Sequence, residues 1–252
     1  MDIKNLQKNW NAFGKMDALW AILQAPDKKG KKWKQEEFFK SGAIEIDAVM
    51  QHIESLGVSL PRGRALDFGC GVGRLTQGLA RYFANVDGID IAPSMIALAR
   101  EYNQHGDKCT YHLNEATDLT LFPDKSFDFI YSNITLQHME PRYAKHYIQE
   151  FIRLLTPQGL LVFQLPSTPC VAIPAPEKVE LKIKRSIGKI IRAAVPASIL
   201  QAVHMEPISE CYGIEQEELL NFLKSNGGKI VDITQNTCTP GWISFRYCVA
   251  KA

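Results

Sequence analysis

Short apolar runs alternate with segments of helical periodicity along most of this chain. Residues 64–67 form the first such run, and Leu75, Leu79, Ala80 and Phe83 follow at helical spacing. Residues 85–90, 109–113, 127–133 and 160–165 read as four further strands, with helices expected from Ser94 and over 142–155. Pro93 suits an early helical position, because its missing N–H would have no intrahelical partner there. This alternation over 64–165 predicts a parallel, doubly wound sheet. Residues 156–159, Thr-Pro-Gln-Gly, read as a turn before the fifth strand. The pattern then changes to a helix over 215–226 and two strands, 228–235 and 242–250. Their connection, 236–241, is too short for a crossover helix, so the two strands must be antiparallel.

The chemistry concentrates where strands meet helices. Asp67 ends the first apolar run, and Gly69, Gly71 and Gly73 follow at every second position. A turn of this kind lets a ligand approach bare backbone, which any Cβ would prevent. The dinucleotide fingerprint G-x-G-x-x-G fits poorly, since Arg74 stands where its third glycine belongs. A carboxylate beside the turn repels a pyrophosphate and suits a ligand bearing ammonium or sulfonium. Asp90 ends the second strand 21 residues after Gly69, the place of a ribose-binding carboxylate in α/β nucleotide sites. Asp87 competes for that role, but ligands bind beyond the carboxyl ends of parallel strands, and Asp90 is nearer that end.

In its D-x-G-x-G-x-G turn, Asp90, the acidic turn after 109–113 and the segment Ser132-Asn133-Ile134-Thr135 after the fourth strand, the chain resembles class I S-adenosylmethionine-dependent methyltransferases of the bacterial small-molecule type. The resemblance implies an α/β, Rossmann-like, seven-stranded sheet. It would be mostly parallel, with an antiparallel C-terminal hairpin and helices on both faces. It implies S-adenosyl-L-methionine as cofactor, held by Asp67, Gly69, Gly71, Gly73, Asp90, Ile91, Met95, Glu115, Ala116, Asn133 and Gln137. Glu115 stands where an Asp is more usual in the family. Helices before the first strand fold over the cofactor in similar enzymes, so Trp33 or Phe39 is expected near the adenosine, or simply docking those helices.

Composition narrows the class. The chain has 252 residues, 46% hydrophobic and 22% charged, as in a soluble globular protein. A single domain, 1–252, is expected: an N-terminal helical cap over 1–63, a cofactor-binding core over 64–165, a lid insertion over 166–214, and the last helix and hairpin over 215–252. The net charge of +2 argues neither for nor against nucleic acid. Nucleic-acid methylation is not expected, because Ser132-Asn133-Ile134-Thr135 stands in place of an N-P-P-Y-type motif. No apolar run reaches membrane-spanning length and the start has no apolar signal region, so a cytoplasmic location is expected. Six cysteines without a C-x-x-C pair read as reduced thiols.

A methyl on sulfonium is already activated, so the protein has mainly to align an acceptor and exclude water. Oxygen acceptors also need a base, and His138 is the best-placed imidazole, with a cofactor or backbone contact as its other reading. His204, Glu206 and Tyr212 are further candidates for the substrate pocket. The remaining histidines lack metal-ligand spacing, and no metal is implied. Residues 177–195 carry Ile183, Ile187, Ile190 and Ile191 on one helical face amid lysine and arginine. Such a basic amphipathic helix serves as a lid, or makes weak contact with a membrane surface or partner. The expected function is methyl transfer to O or N of a small-molecule or glycan/lipid-linked acceptor. The alternatives are a catalytically silent S-adenosylmethionine-binding regulator or scaffold, and thiol-dependent metalloid methylation through Cys170 and Cys211.

Overall fold

In the computed structural model, which describes residues 2–170, 207–236 and 239–252, seven strands form one sheet in the order β3-β2-β1-β4-β5-β7-β6. The strands are β1 (Arg64–Phe68), β2 (Asn85–Asp90), β3 (Cys109–Leu113), β4 (Phe127–Ser132), β5 (Leu155–Pro169), β6 (Gly228–Asn236) and β7 (Trp242–Lys251). β1 through β5 pair in parallel, whereas β7 pairs antiparallel with both β5 and β6. The short 236–241 connection therefore sets a hairpin, and that hairpin inserts its second strand between β5 and β6.

β5 is longer than its apolar run. Leu155 already pairs with Phe127, and the register then slips so that Phe129 meets Leu160. Residues 156–159, expected as a turn before the strand, form a bulge inside it instead. A bulge leaves extra residues unpaired without ending the ladder, and period-two patterning is lost there.

The helices are α1 (Ile3–Ile22), α2 (Gln35–Ser55), α3 (Arg74–Leu79), α4 (Pro93–Glu101), α5 (Pro141–Leu154) and α6 (Gln216–Ser225). Leu66, Phe68 and Ile130 face Ile148 and Phe151 of α5 and Leu219 and Leu223 of α6. Ala65, Val86, Phe129 and Tyr131 face Ile46 and Met50 of α2, Leu75 and Leu79 of α3 and Ile96 of α4. Successive side chains of β1 thus bury on opposite faces, as the strand period of two requires. Asp67 falls on the α3 face for the same reason.

α1 is broken at Asp17, whose backbone (φ −157°, ψ 77°) leaves the helical region. Its carboxylate accepts the N–H groups of Gly30 at 2.8 Å and Lys31 at 2.7 Å, tying the basic 26–34 connection back to the break. Phe13, Ala18, Ala21, Phe38, Val72, Ala92 and Met95 form a third cluster that fastens α1 and α2 to the β1 and β2 turns. No helix among the described residues is long and apolar enough to cross a membrane.

Candidate active site

A cleft of about 470 Å³ opens at the carboxyl ends of β1, β2 and β4. Of the residues singled out in the sequence, Gly69, Gly71, Asp90, Ile91, Asn133, Gln137 and His138 line it. The glycine turn packs face to face with the turn after β4: at Gly69 (φ +76°) a Cβ would lie 2.2 Å from Thr135 Cγ2. Gly71 (φ +53°) would meet Ile22 Cδ1 of α1 at 2.7 Å. Both positions need glycine, for the left-handed backbone and for the close approach.

Asp90 holds the turn itself. Its Oδ2 accepts the Gly71 N–H at 2.9 Å and its Oδ1 the Ala92 N–H at 2.8 Å. Burial pushes its carboxyl above the usual range, and the N–H groups of Ala92, Gly71 and Ile91 pull it back. A carboxylate has about four lone-pair sites, so some acceptor capacity is left beside these N–H groups. Asp87 is committed elsewhere, to Arg64 at 2.7 Å and His112 at 2.7 Å.

Asp67 does not reach the cleft wall. It is 1% exposed and its Oδ2 accepts from Thr76 Oγ1 at 2.6 Å, while Oδ1 is buried without a partner. Burial pushes its carboxyl up to about 7, with Thr76 and Arg74 opposing and Glu45 and Asp90 reinforcing. Three carboxylates and one guanidinium thus share this corner, a field that favours a cationic ligand.

Other residues named from the sequence stand outside the lining. Met95 is buried in the α1/α2 cluster, and Trp33 packs against Phe38 and donates to the Leu23 carbonyl at 3.1 Å. Phe39 lies edge-on to Phe38 and Tyr102. Glu115 is exposed and bonded by Gln7 of α1, and the Ala116 carbonyl accepts the Tyr147 hydroxyl at 2.8 Å. Asn114 takes their place in the wall. Gly73 (φ +84°) sits on Tyr111 behind the turn. Tyr212 stands behind His138, donating its N–H to the Gln137 carbonyl at 2.7 Å and its hydroxyl to Glu210. His204, Glu206 and all of the basic 177–195 segment lie outside the described residues. Cys170 is exposed and Cys211 half-buried, its thiol pushed up to about 11 by burial; neither lines the cleft.

The sequence reading missed several groups. Trp10, on α1, lies 5.2 Å ring to ring from His138, so α1 supplies the aromatic wall assigned to Trp33 or Phe39. Behind His138 lies a buried network. Gln164 of β5 accepts the Ile134 N–H at 3.1 Å and donates to Thr239 at 3.0 Å and Ser244 at 2.5 Å. It thereby supports Ile134 at φ +56°, a left-handed conformation that strains a β-branched residue. No local spacing marks Gln164, Thr239 or Ser244, because they meet only through strand pairing.

This network decides the protonation of His138. Its Nδ1 lies 2.9 Å from the Glu210 carbonyl, which only accepts, so Nδ1 carries a proton. Thr239 Oγ1 donates to Gln137 Oε1 at 2.6 Å and turns the Gln137 amide nitrogen toward His138 Nε2 at 3.5 Å. Ser209 Oγ, which can donate or accept, lies 3.0 Å from the same Nδ1, and the Glu210 carbonyl favours the neutral tautomer with a lone pair on Nε2. Burial favours the neutral ring, holding its pKa below the ordinary value against the Glu210 and Ile134 carbonyls.

Residues 66–163 match the family model described as a methyltransferase domain. In its sheet order, its glycine turn and this match, the core is similar to that of class I S-adenosylmethionine-dependent methyltransferases. The chain is 34% identical over 105 residues to a ubiquinone biosynthesis O-methyltransferase of Xanthomonas campestris pv. campestris (strain B100), spanning 41% of this chain and 43% of that protein. It is 32% identical over 141 residues to phosphoethanolamine N-methyltransferase 3 of Arabidopsis thaliana, spanning 53% of this chain and 27% of that protein. The chain thus spans less than half the length of these relatives. In fold it resembles magnesium protoporphyrin IX methyltransferase from Synechocystis PCC 6803 with bound SAH (S-adenosylhomocysteine), with a TM-score of 0.63, 19% identity and 100% of each chain covered.

The residues present fit this cofactor. Gly69, Gly71 and Asp90 line the cleft together, and a buried Asn133 Oδ1 and Arg74 Nε among the lining residues have no partner in the protein.

Proposed function

We propose that the protein moves the methyl group of S-adenosylmethionine to a hydroxyl oxygen of a small-molecule acceptor, with His138 as general base. When bound, the cofactor supplies an electrophilic methyl on a sulfonium. Asp90 would hold the ribose hydroxyls with its free lone pairs, and Gly69 and Gly71 would admit the cofactor against the backbone. The carrying observation is the place of His138: its Nδ1 lies 2.9 Å from the Glu210 carbonyl, which supports a lone pair on Nε2, and the residue lines a cleft whose wall includes Trp10, Leu6 and Met139. An acceptor hydroxyl aligned with that methyl would lose its proton on attack, and His138 Nε2 would take it. An amine acceptor, as in the phosphoethanolamine relative, could attack as the free base and would not need this proton transfer.

Calorimetric titration should give heat for S-adenosylhomocysteine and none for NAD; the opposite result would falsify the cofactor assignment. Asp90→Ala should weaken that binding by about 1–3 kcal/mol, the cost of unmade charge-assisted hydrogen bonds. Incubation with S-adenosylmethionine and a panel of hydroxyl and amine acceptors should yield S-adenosylhomocysteine with the hydroxyl set. Turnover with amines alone overturns the oxygen assignment, and binding without any turnover supports the silent-binder reading.

A further inference from the structure

The connection between α1 and α2 carries charge that the cleft does not use. Residues 26–34 hold five lysines against one acid, Asp27, and no arginine occurs before Arg62. The break of α1 at Asp17 gives this connection a fixed shape, because the Asp17 carboxylate accepts the N–H groups of Gly30 and Lys31 at its tip. Two indoles fasten its flanks: Trp20 donates to the Ala25 carbonyl and Trp33 to the Leu23 carbonyl, both at 3.1 Å. Two lysines are held on these rings, Lys28 5.0 Å from the Trp33 centroid and Lys29 4.8 Å from that of Trp20. Lys31, Lys32 and Lys34 are exposed and make no ion pair among the described residues. Lys31 has φ +62° and the preceding Gly30 φ +84°. The left-handed region costs lysine more than glycine, so the tip carries backbone strain beneath an exposed cation.

Strain stored at an exposed cationic tip points to a partner outside the chain. We propose that residues 28–34 form a docking surface for an anionic lipid bilayer, with Lys31, Lys32 and Lys34 among its headgroups. Of the nearby acids, Asp17 is turned onto the N–H groups of the tip and Glu37 onto Lys28 at 2.8 Å, which leaves Asp27 and Glu36 against the exposed lysines. Lysine is a compact, strongly hydrated point charge, and it suits laterally mobile headgroups that demand no fixed hydrogen-bond geometry. A nucleic acid or a phosphorylated peptide is better met by the planar fork of arginine, which this segment lacks. Each lysine near an anionic surface raises partition by about fivefold, so three together give on the order of a hundredfold, reversible and screened by salt. Apolar side chains stand beside the lysines. Met16, next in the chain to Asp17, is 49% exposed, and the half-buried indoles of Trp20 and Trp33 are of the kind that favours the headgroup level of a bilayer. The contact would set the cleft beside the bilayer, because Ala21, Ile22, Leu23 and Gln24 line the cleft and run directly into this connection.

Cosedimentation of the full chain with vesicles tests this. Vesicles of phosphatidylcholine with about a quarter phosphatidylserine should bind at least tenfold more tightly than vesicles of phosphatidylcholine alone, and raised salt should remove the difference. Replacing the three exposed lysines together (K31Q, K32Q and K34Q) should lower that binding at least tenfold and leave Tm unchanged. Binding that survives these substitutions overturns the proposal, since the contact then lies elsewhere on the chain. So does equal binding to both kinds of vesicle, or binding of duplex RNA at the same salt with no binding of either vesicle. Should the triple variant fail to fold, Lys31→Asn decides. Asparagine tolerates the left-handed backbone, so this variant should melt no lower than wild type and bind the phosphatidylserine vesicles about fivefold more weakly. Unchanged binding in that variant overturns the proposal as well.

Discussion

A neutral imidazole acts as a base only through the nitrogen that lacks a proton, and at His138 the Glu210 carbonyl favours Nε2 as that nitrogen. His138→Ala should therefore cut turnover by about 10²–10⁴-fold and leave S-adenosylhomocysteine affinity nearly unchanged. Because burial holds the ring's pKa below its ordinary value, the acid limb of the wild-type rate profile should fall at a pH below about 6.5. A limb centred above that value would point to another group. Asp67 makes a prediction of the opposite kind. Its folded-state carboxyl, pushed to about 7 from 3.8, favours protonation, so its contribution to stability is full below pH 3.8 and is lost as pH rises toward 7. In the ligand-free protein Asp67→Asn should flatten that decline and gain about 1–4 kcal/mol over wild type above pH 7, as read by denaturant unfolding. An unchanged pH dependence would mean that Asp67 is ionised in the fold at low cost.

At the scale of elements, the site depends on a strand that does not line the cleft. β5 brings Gln164 beneath the β4 turn, where it bonds Ile134, Thr239 and Ser244 and meets Gln137 at 3.2 Å. Replacing it by leucine removes a partner from several buried groups at once. Gln164→Leu should lower unfolding free energy by about 2–4 kcal/mol, and turnover should fall with it as Ile134 and His138 lose their support. Gln164→Glu, which keeps an acceptor for the Ile134 N–H but adds a buried charge, should recover less than half of that loss. The element boundaries were read correctly where the period was clean, as in β2 and β3. At β5 the bulge at 156–159 hid the first part of the strand, since a Thr-Pro-Gln-Gly run reads as a turn until its neighbour β4 is in place.

At the scale of the whole molecule, a ligand that bridges the β1, β2 and β4 turns should stabilise the fold as a unit. S-adenosylhomocysteine at a hundredfold excess over Kd adds about 2.7 kcal/mol by mass action, which should raise Tm by about 5–10 °C. NAD at the same concentration should leave Tm unchanged. A shift with NAD alone would return the turn to the dinucleotide class.

The sequence by itself determined the sheet, its parallel core and the antiparallel C-terminal strands, because strand periodicity and connection length are local properties. It also marked Gly69, Gly71, Asp90, Asn133 and His138, which sit where strands end and so at the cleft. It did not separate residues that line the cleft from those just behind it. Asp67 turns under α3 because the strand period places it on the opposite face from Leu66 and Phe68, and Met95 and Trp33 are drawn into the cluster that holds α1 and α2. Trp10, Glu45, Arg74 and Gln164 became part of the site only through tertiary packing. Glu45 is 86 residues from Tyr131 and Gln164 is 80 from Ser244, so no spacing along the chain records those contacts. A hydrogen bond between distant elements leaves its trace only in the folded structure, whereas a turn or a strand leaves it in every neighbouring residue.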